Sequence, residues 1–339
     1  MLRIERLSSG GVIPNYFCSS ACRHCLYRSG PGRERAFLDP AEAEAIFRRV
    51  RALGCRSVHL GGGEPLLDPE GVAALLEAAQ RAGVGIDYVE TNASWFRDPP
   101  AAVSTLERLR ERGLGTVLVS ISPFHNEFIP LWKTLGVMAA ARQAGLRVFP
   151  WAAEFLPELE SLGPGRPHRL EEFASRFGED YLERIPGRYW IHPGGRALDT
   201  FRPLFGGKRL EEILEESPAT CARELSDTGH FHIDLHGNYI PGLCAGLAIA
   251  AEDLGRALSP ERYPLITTLA GAGIRGLLAF ARREMGFAPA PAGWWNRCDL
   301  CDAIRLFLFE GGWSRSRELS PAGFYRRRSS RCDPPLRSS

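Results

Sequence analysis

Cys18-Ser-Ser-Ala-Cys22-Arg-His-Cys25 sets three thiols in a C-x3-C-x2-C run directly after the first β-like run of the chain, Val12 to Phe17. Clustered cysteines in a long chain are more often metal ligands than disulfide partners. A cubane [4Fe-4S] cluster has four irons, so three cysteine ligands leave one iron open to a small molecule. A structural zinc ion takes four closed protein ligands, and His24 is available as the fourth. An incidental thiol cluster is the bland alternative. One strand later comes Gly61-Gly62-Gly63-Glu64-Pro65, directly after the run Ser57 to Leu60. Glycine lets a backbone approach a ligand closely, and Glu64 offers an anionic acceptor for an ammonium group. Alone this loop reads as a turn; one strand after three cysteines it becomes a specific signal.

Outward from these loops, the chain alternates β-like runs with amphipathic helical segments from Gly10 to about Gly195, which is the α/β pattern of parallel strands joined by crossover helices. Gly85 to Glu90, Thr116 to Ile121, Leu146 to Trp151 and Tyr189 to His192 complete six strands. Pro40 to Leu53, Pro69 to Ala82, Ala101 to Arg112, Leu131 to Ala144 and Leu170 to Phe177 read as helices, several introduced by Asp-Pro. Six β/α units fit an open doubly wound sheet or a partial barrel, and in both the ligands gather at the C-terminal ends of the strands. After residue 200 the rhythm changes. His230 to Asp234, a His236-Gly237-Asn238 turn and Tyr239 to Leu243 read as a hairpin, followed by helical material to Gly286 and a Trp- and Cys-bearing segment. The expected organisation is residues 1–200, a smaller cysteine-bearing module over 201–323, and a loosely ordered polar tail over 324–339.

Composition excludes more than it assigns. With 339 residues, 44% hydrophobic and 24% charged, the chain has ample material for a buried core. Forty-two Lys and Arg against 40 Asp and Glu give no reason to expect a nucleic-acid or anionic-membrane partner. The N-terminus lacks a secretory apolar core, and apolar stretches such as Leu243 to Ala251 fall short of the roughly 18–20 residues of a membrane span, so a cytoplasmic protein is expected. Cys55 reads as a buried small hydrophobe and Cys332 as a bystander in the tail.

The order and spacing of the two loops resemble the radical S-adenosylmethionine (SAM) superfamily over roughly residues 10–195. The resemblance implies a partial (β/α)6 TIM-like barrel in place of a doubly wound sheet. It implies a [4Fe-4S] cluster on Cys18, Cys22 and Cys25 whose fourth iron is chelated by SAM. Glu64 and the backbone of Gly62 and Gly63 then receive the methionine ammonium, and His24 contacts adenine through its backbone. Thr91 and Asn92 after the third strand, with Ser120 and Ser122 at the end of the fourth, contact the methionine carboxylate or the ribose. The implied chemistry is reductive cleavage of SAM to methionine and a 5'-deoxyadenosyl radical that abstracts a substrate hydrogen, with flavodoxin or ferredoxin as electron donor.

Cys221, Cys244, Cys298 and Cys301 resemble the shortened, twitch-type form of the SPASM auxiliary-cluster domain, which implies one auxiliary [4Fe-4S] cluster; a four-cysteine zinc site is the rival. His125 after the fourth strand and Glu154 after the fifth are candidates to bind substrate or move protons, with Trp151 and His192 also near a barrel mouth. The expected substrate is a peptide or protein side chain, and the alternative is a small metabolite such as a sugar or amino acid. Seventeen residues precede Cys18, so a fused leader-binding domain is not expected, which weakens the peptide reading without removing it, because a separate partner can supply leader binding. A non-catalytic iron-sulfur or zinc protein is the remaining reading.

Overall fold

The computed structural model describes residues 1–326. Its sheet has eight strands in the order β5-β4-β3-β2-β1-β6-β7-β8. These are β1 (Gly10–Ile13), β2 (Ser57–Leu60), β3 (Gly85–Thr91), β4 (Thr116–Ser120), β5 (Arg147–Trp151), β6 (Phe231–Asp234), β7 (Asn238–Ile240) and β8 (Ile249–Ala250). Neighbours from β5 through β1 to β6 run parallel, and β7 and β8 are added antiparallel. The result is an open partial barrel of the mixed α/β class. β1 is buried along its whole length, as expected for a central parallel strand covered on both faces.

The crossover helices are α1 (Pro40–Ala52), α2 (Pro69–Ala82), α3 (Pro99–Glu111), a short α4 (Pro123–Asn126) and α5 (Leu131–Gln143). Asp39, Asp68 and Asp98 each cap the helix that follows, their carboxylates accepting from free N–H groups of the first turn, while proline fills a position that needs no donor. Buried apolar faces then pack α1 on α2 and α3 on α5, leaving the loops after the strands free to build a site.

Tyr189–His192 is not a strand. Tyr189 ends the helix Tyr181–Arg188, and His192 is followed by Pro193, which has no N–H for a ladder, and by Gly195 at φ 57°. The sixth parallel strand is β6, taken from the hairpin, and it pairs with β1 on the side opposite β2. The hairpin therefore continues the sheet of the N-terminal segment.

Two further expectations are corrected. The helix Pro264–Met285 is 22 residues long and, by length and composition, apolar enough to cross a membrane, contrary to the reading that no stretch reached that length. It is kinked at Gly273, carries Arg275, and packs against the helix Arg297–Glu310, which explains its apolar residues as core. The polar tail does not begin at 324: Phe324 and Tyr325 are buried, and the Tyr325 hydroxyl donates to the Gly246 carbonyl at 2.6 Å. Cys332 lies outside the described residues.

Candidate functional site

The loops after β1 and β2 are stitched together by backbone. Gly61 N–H donates to the Val12 carbonyl (3.1 Å), Gly63 N–H to Asn15 (3.0 Å) and Glu64 N–H to Phe17 (3.0 Å), so the glycine loop lies flat against the segment that leads into Cys18. A Cβ on Gly63 would collide with the Phe17 carbonyl, and Gly62 stands at φ 121°, so glycine is required at both. Further along, Arg196 holds the cysteine loop from the other side, its guanidinium donating to the Cys22 carbonyl (2.8 Å) and the Ser29 carbonyl (2.5 Å). Arg23, inside the motif, pairs with Glu127 at 3.0 Å.

These loops open onto a cavity of about 520 Å3 lined by Cys18, Cys22 and Cys25 together with His24, Gly62, Gly63, Thr91, Asn92, Ser120 and His125. Three predicted thiols and seven of the predicted ligand-binding or catalytic residues are thus brought to one space. Asn92 aims its amide at the Cys18 sulfur at 3.2 Å. Burial raises the Cys18 thiol to about 12, with the Glu64 carboxylate adding to the effect, and burial with the neighbouring Cys18 sulfur raises Cys22 further. Thiols in that state must release protons to become metal ligands. Ser20 Oγ and His24 Nδ1 are buried on the cavity wall without a hydrogen-bond partner, groups that a polar ligand would satisfy.

Three expected residues stand elsewhere. Glu64 is fully buried beneath the glycine loop, where its carboxylate accepts from Thr91 Oγ1 (2.8 Å), Asn92 N–H (2.6 Å) and Leu66 N–H (3.1 Å). It ties the β2 and β3 loops together. Burial raises it to about 7 against the pull of those donors. Ser122 caps α4 and bonds His125 Nδ1 at 2.7 Å, behind the cavity wall. Glu154 is exposed in a single helical turn entered through Ala152 at φ 63°, and it does not line the cavity. The backbone reverses immediately after β5, so the side chain three residues on is carried outward.

His24 stacks on Phe124 at 4.8 Å and meets the edge of His125 at 5.0 Å. Burial holds His24 well below the ordinary imidazole range and lowers both His125 and His192 to about 4, so these rings are neutral near pH 7. Phe149, Trp151 and Trp190 line the cavity while remaining 43%, 37% and 63% exposed, which places them at its mouth.

The second cysteine group also assembles. Cys221, on the turn before the hairpin, Cys244 after β7, and Cys298 and Cys301 on one helix come close together: burial is the largest cause raising each thiol, and neighbouring thiols add to it at Cys221, Cys244 and Cys298. Arg305 is buried beside Cys301 and Cys244 and donates to the Ala245 carbonyl at 2.8 Å. Cys55 is buried, as expected, and its thiol bonds the Ser57 carbonyl at 3.0 Å.

Sequence reasoning missed Arg196, Glu90, Tyr189 and the histidines around β6, all of which line the cavity. Arg196 and Tyr189 carry no spacing signal, because their placement depends on an irregular segment. His230-Phe-His232 was readable: residues two apart in a strand point to one face.

Residues 12–149 match the model of the Radical SAM superfamily. Among curated proteins, the probable GTP 3',8-cyclase of Sulfurisphaera tokodaii is 27% identical over 213 residues, covering 60% of this chain and 63% of that protein. The GTP 3',8-cyclase of Klebsiella pneumoniae subsp. pneumoniae is 30% identical over 107 residues, 31% of each chain. The match thus spans less than two thirds of the length of these relatives. The solved structure of anSMEcpe with bound AdoMet aligns over 91% of this chain and 99% of that chain, at 13% identity and a TM-score of 0.45.

Proposed function

We propose that this chain, whose residues 12–149 match the Radical SAM superfamily, is an enzyme that uses a [4Fe-4S] cluster and SAM to abstract hydrogen from a peptide or protein side chain entering the cavity mouth. The observation that carries the reading is the convergence of Cys18, Cys22 and Cys25 with Gly62 and Gly63 on one cavity whose wall holds the unpartnered Ser20 Oγ and His24 Nδ1. When bound, the cluster and SAM supply a radical able to remove an unactivated hydrogen. The three cysteines would hold the cluster, and Asn92 donates to the Cys18 sulfur. Arg196 places a positive charge beside the thiolates and fixes the loop that carries them. Thr91, Asn92 and Ser120 are left to orient the polar end of SAM, with Glu64 positioning the first two from behind. Phe149, Trp151 and Trp190 shield the interior from water and give a substrate segment an apolar rim. His125 and His192, held neutral by burial, line the cavity where they can hydrogen-bond a substrate.

The names of the curated relatives favour a second reading, a nucleotide or other small metabolite. Against a triphosphate, Arg196 is the lone arginine or lysine of the lining among the described residues and is already bonded to two carbonyls. The C-terminal thiols support one auxiliary [4Fe-4S] cluster. A flavodoxin or ferredoxin type donor in a reducing compartment such as the cytoplasm completes the proposal.

The test is 5'-deoxyadenosine formation, followed by mass spectrometry, in anaerobically reconstituted protein given SAM, dithionite and panels of peptides or metabolites. Product from the parent protein and none from Cys22→Ala is expected, with deuterium passing from a labelled peptide into 5'-deoxyadenosine. Transfer from a labelled metabolite instead would replace the peptide reading. No product with either panel at full iron loading would overturn the assignment.

A further inference from the structure

His59, Gly11 and His232 share one row of the sheet, since Gly11 is in register with His59 on β2 and with His232 on β6. Gly11 brings no side chain to that row, and a Cβ there would fall on the His59 ring, so the two imidazoles close over the glycine from either side. Their Nε2 atoms stand 3.0 Å apart. His230, two residues before His232, adds a third ring stacked on His59 at 5.3 Å, and one ring nitrogen from each of the three lies within 4.8 Å of the others. His59 is 3% and His232 5% exposed, while His230 is exposed. Glu90 on β3 brings a carboxylate oxygen to 3.7 Å from His59 Nε2.

We propose that His59, His230 and His232 form a site for a divalent transition-metal ion of the zinc class, with Glu90 beside it and an open position toward the cavity. Imidazole nitrogen suits such ions, and bonds of about 2.0–2.1 Å place tetrahedral nitrogens roughly 3.3 Å apart, close to the spacing between His59 and His232. The outer shell that orients ligating histidines is also in place. His232 Nδ1 bonds the Tyr27 hydroxyl at 2.8 Å, the His59 ring bonds the Gly10 backbone, and Tyr88 stacks flat on His59 at 5.0 Å. His230, His232 and Glu90 line the same cavity as the three cysteines, so the open position faces bound substrate and would take an oxygen or nitrogen donor from it. The site stands on its own geometry and does not depend on the peptide reading.

The experiment uses the full chain with its iron-sulfur clusters loaded, so that cysteine thiolates are occupied, passed over a chelating resin and equilibrated with zinc. Zinc and iron are then counted by mass spectrometry, and the zinc ligands are identified by X-ray absorption. About one retained zinc per chain with nitrogen or oxygen ligands near 2.0–2.1 Å is expected. His232→Ala and His59→Phe should lower zinc affinity by about tenfold or more with iron content unchanged. The exposed His230→Ala covers the case in which a buried variant loses iron and has therefore not folded. No retained zinc, sulfur scattering near 2.3 Å, or equal affinity in every iron-loaded variant would sink the proposal, leaving a hydrogen-bonded histidine cluster.

Discussion

Gly63 has no room for a methyl group, because the Phe17 carbonyl occupies the place where one would go. Gly32, in the loop that follows the cysteines, has nothing within 4 Å of the place a methyl group would take. Gly63→Ala must therefore push the glycine loop away from the segment entering Cys18, at a cost of about 1–3 kcal/mol typical of overpacking. Gly32→Ala should stay within about 0.5 kcal/mol. Urea denaturation and iron content check both: the first variant loses stability and iron, the second neither. Equal behaviour would mean that the two loops are not locked as described. At this scale the meeting of the two loops was legible, since Cys18, Cys22, Cys25, Gly62 and Gly63 line one cavity. The hydrogen bonds that tie Glu64 to Thr91 and Asn92 were not, since a spacing pattern does not show which neighbours a buried carboxylate will meet.

The Asp-Pro helix starts and four of the five crossover strands were legible to within a residue or so, because caps and short apolar runs are local signals; β1 was placed too late, with the loop drawn into it. The sixth strand was misplaced because β-like composition at Tyr189–His192 says nothing about an available partner. β1 had an open edge, and the hairpin supplied the strand that filled it. Another contact of this kind, invisible in sequence, fixes the helix Pro264–Met285. Glu318 is fully buried and accepts from Leu265 N–H (2.9 Å) and Ile266 N–H (2.7 Å) at the start of that helix. Burial outweighs those bonds and raises its carboxyl from 4.5 to about 7. The folded value lies above the unfolded one, so the stabilisation is complete below about pH 4.5 and fades as pH rises through about 7. Glu318→Gln has no such titration. The stability of the parent protein relative to the variant should fall by about 3 kcal/mol between pH 4.5 and 8, measured by urea unfolding. A difference independent of pH would show that folding does not raise this carboxyl above its unfolded value.

Across the whole molecule, the N-terminal and C-terminal segments share one sheet and cannot be peeled apart at residue 200 without exposing β1 along Gly10–Ile13. Other ties cross the same line. Tyr16 donates its hydroxyl to Asp234 at 2.8 Å, Gly255 N–H and Leu258 N–H donate to the carbonyls of Ile4 and Leu2, and the Arg28 guanidinium, just after the cysteine loop, lies 3.8 Å from the Asp302 carboxylate. The hairpin itself was legible in His236-Gly237-Asn238, but its docking on β1 was not, because pairing between strands more than 200 residues apart leaves no local trace. An exposed parallel edge with unpaired N–H and C=O groups is a template for aggregation. A fragment ending at Phe205 is therefore expected to lack a cooperative urea transition and to associate on gel filtration. The full chain should unfold with Trp fluorescence and near-ultraviolet circular dichroism changing together. A monomeric fragment with its own sharp transition would mean that the barrel strands are complete without β6, and that the C-terminal segment is an appended module rather than the sixth parallel strand of the fold.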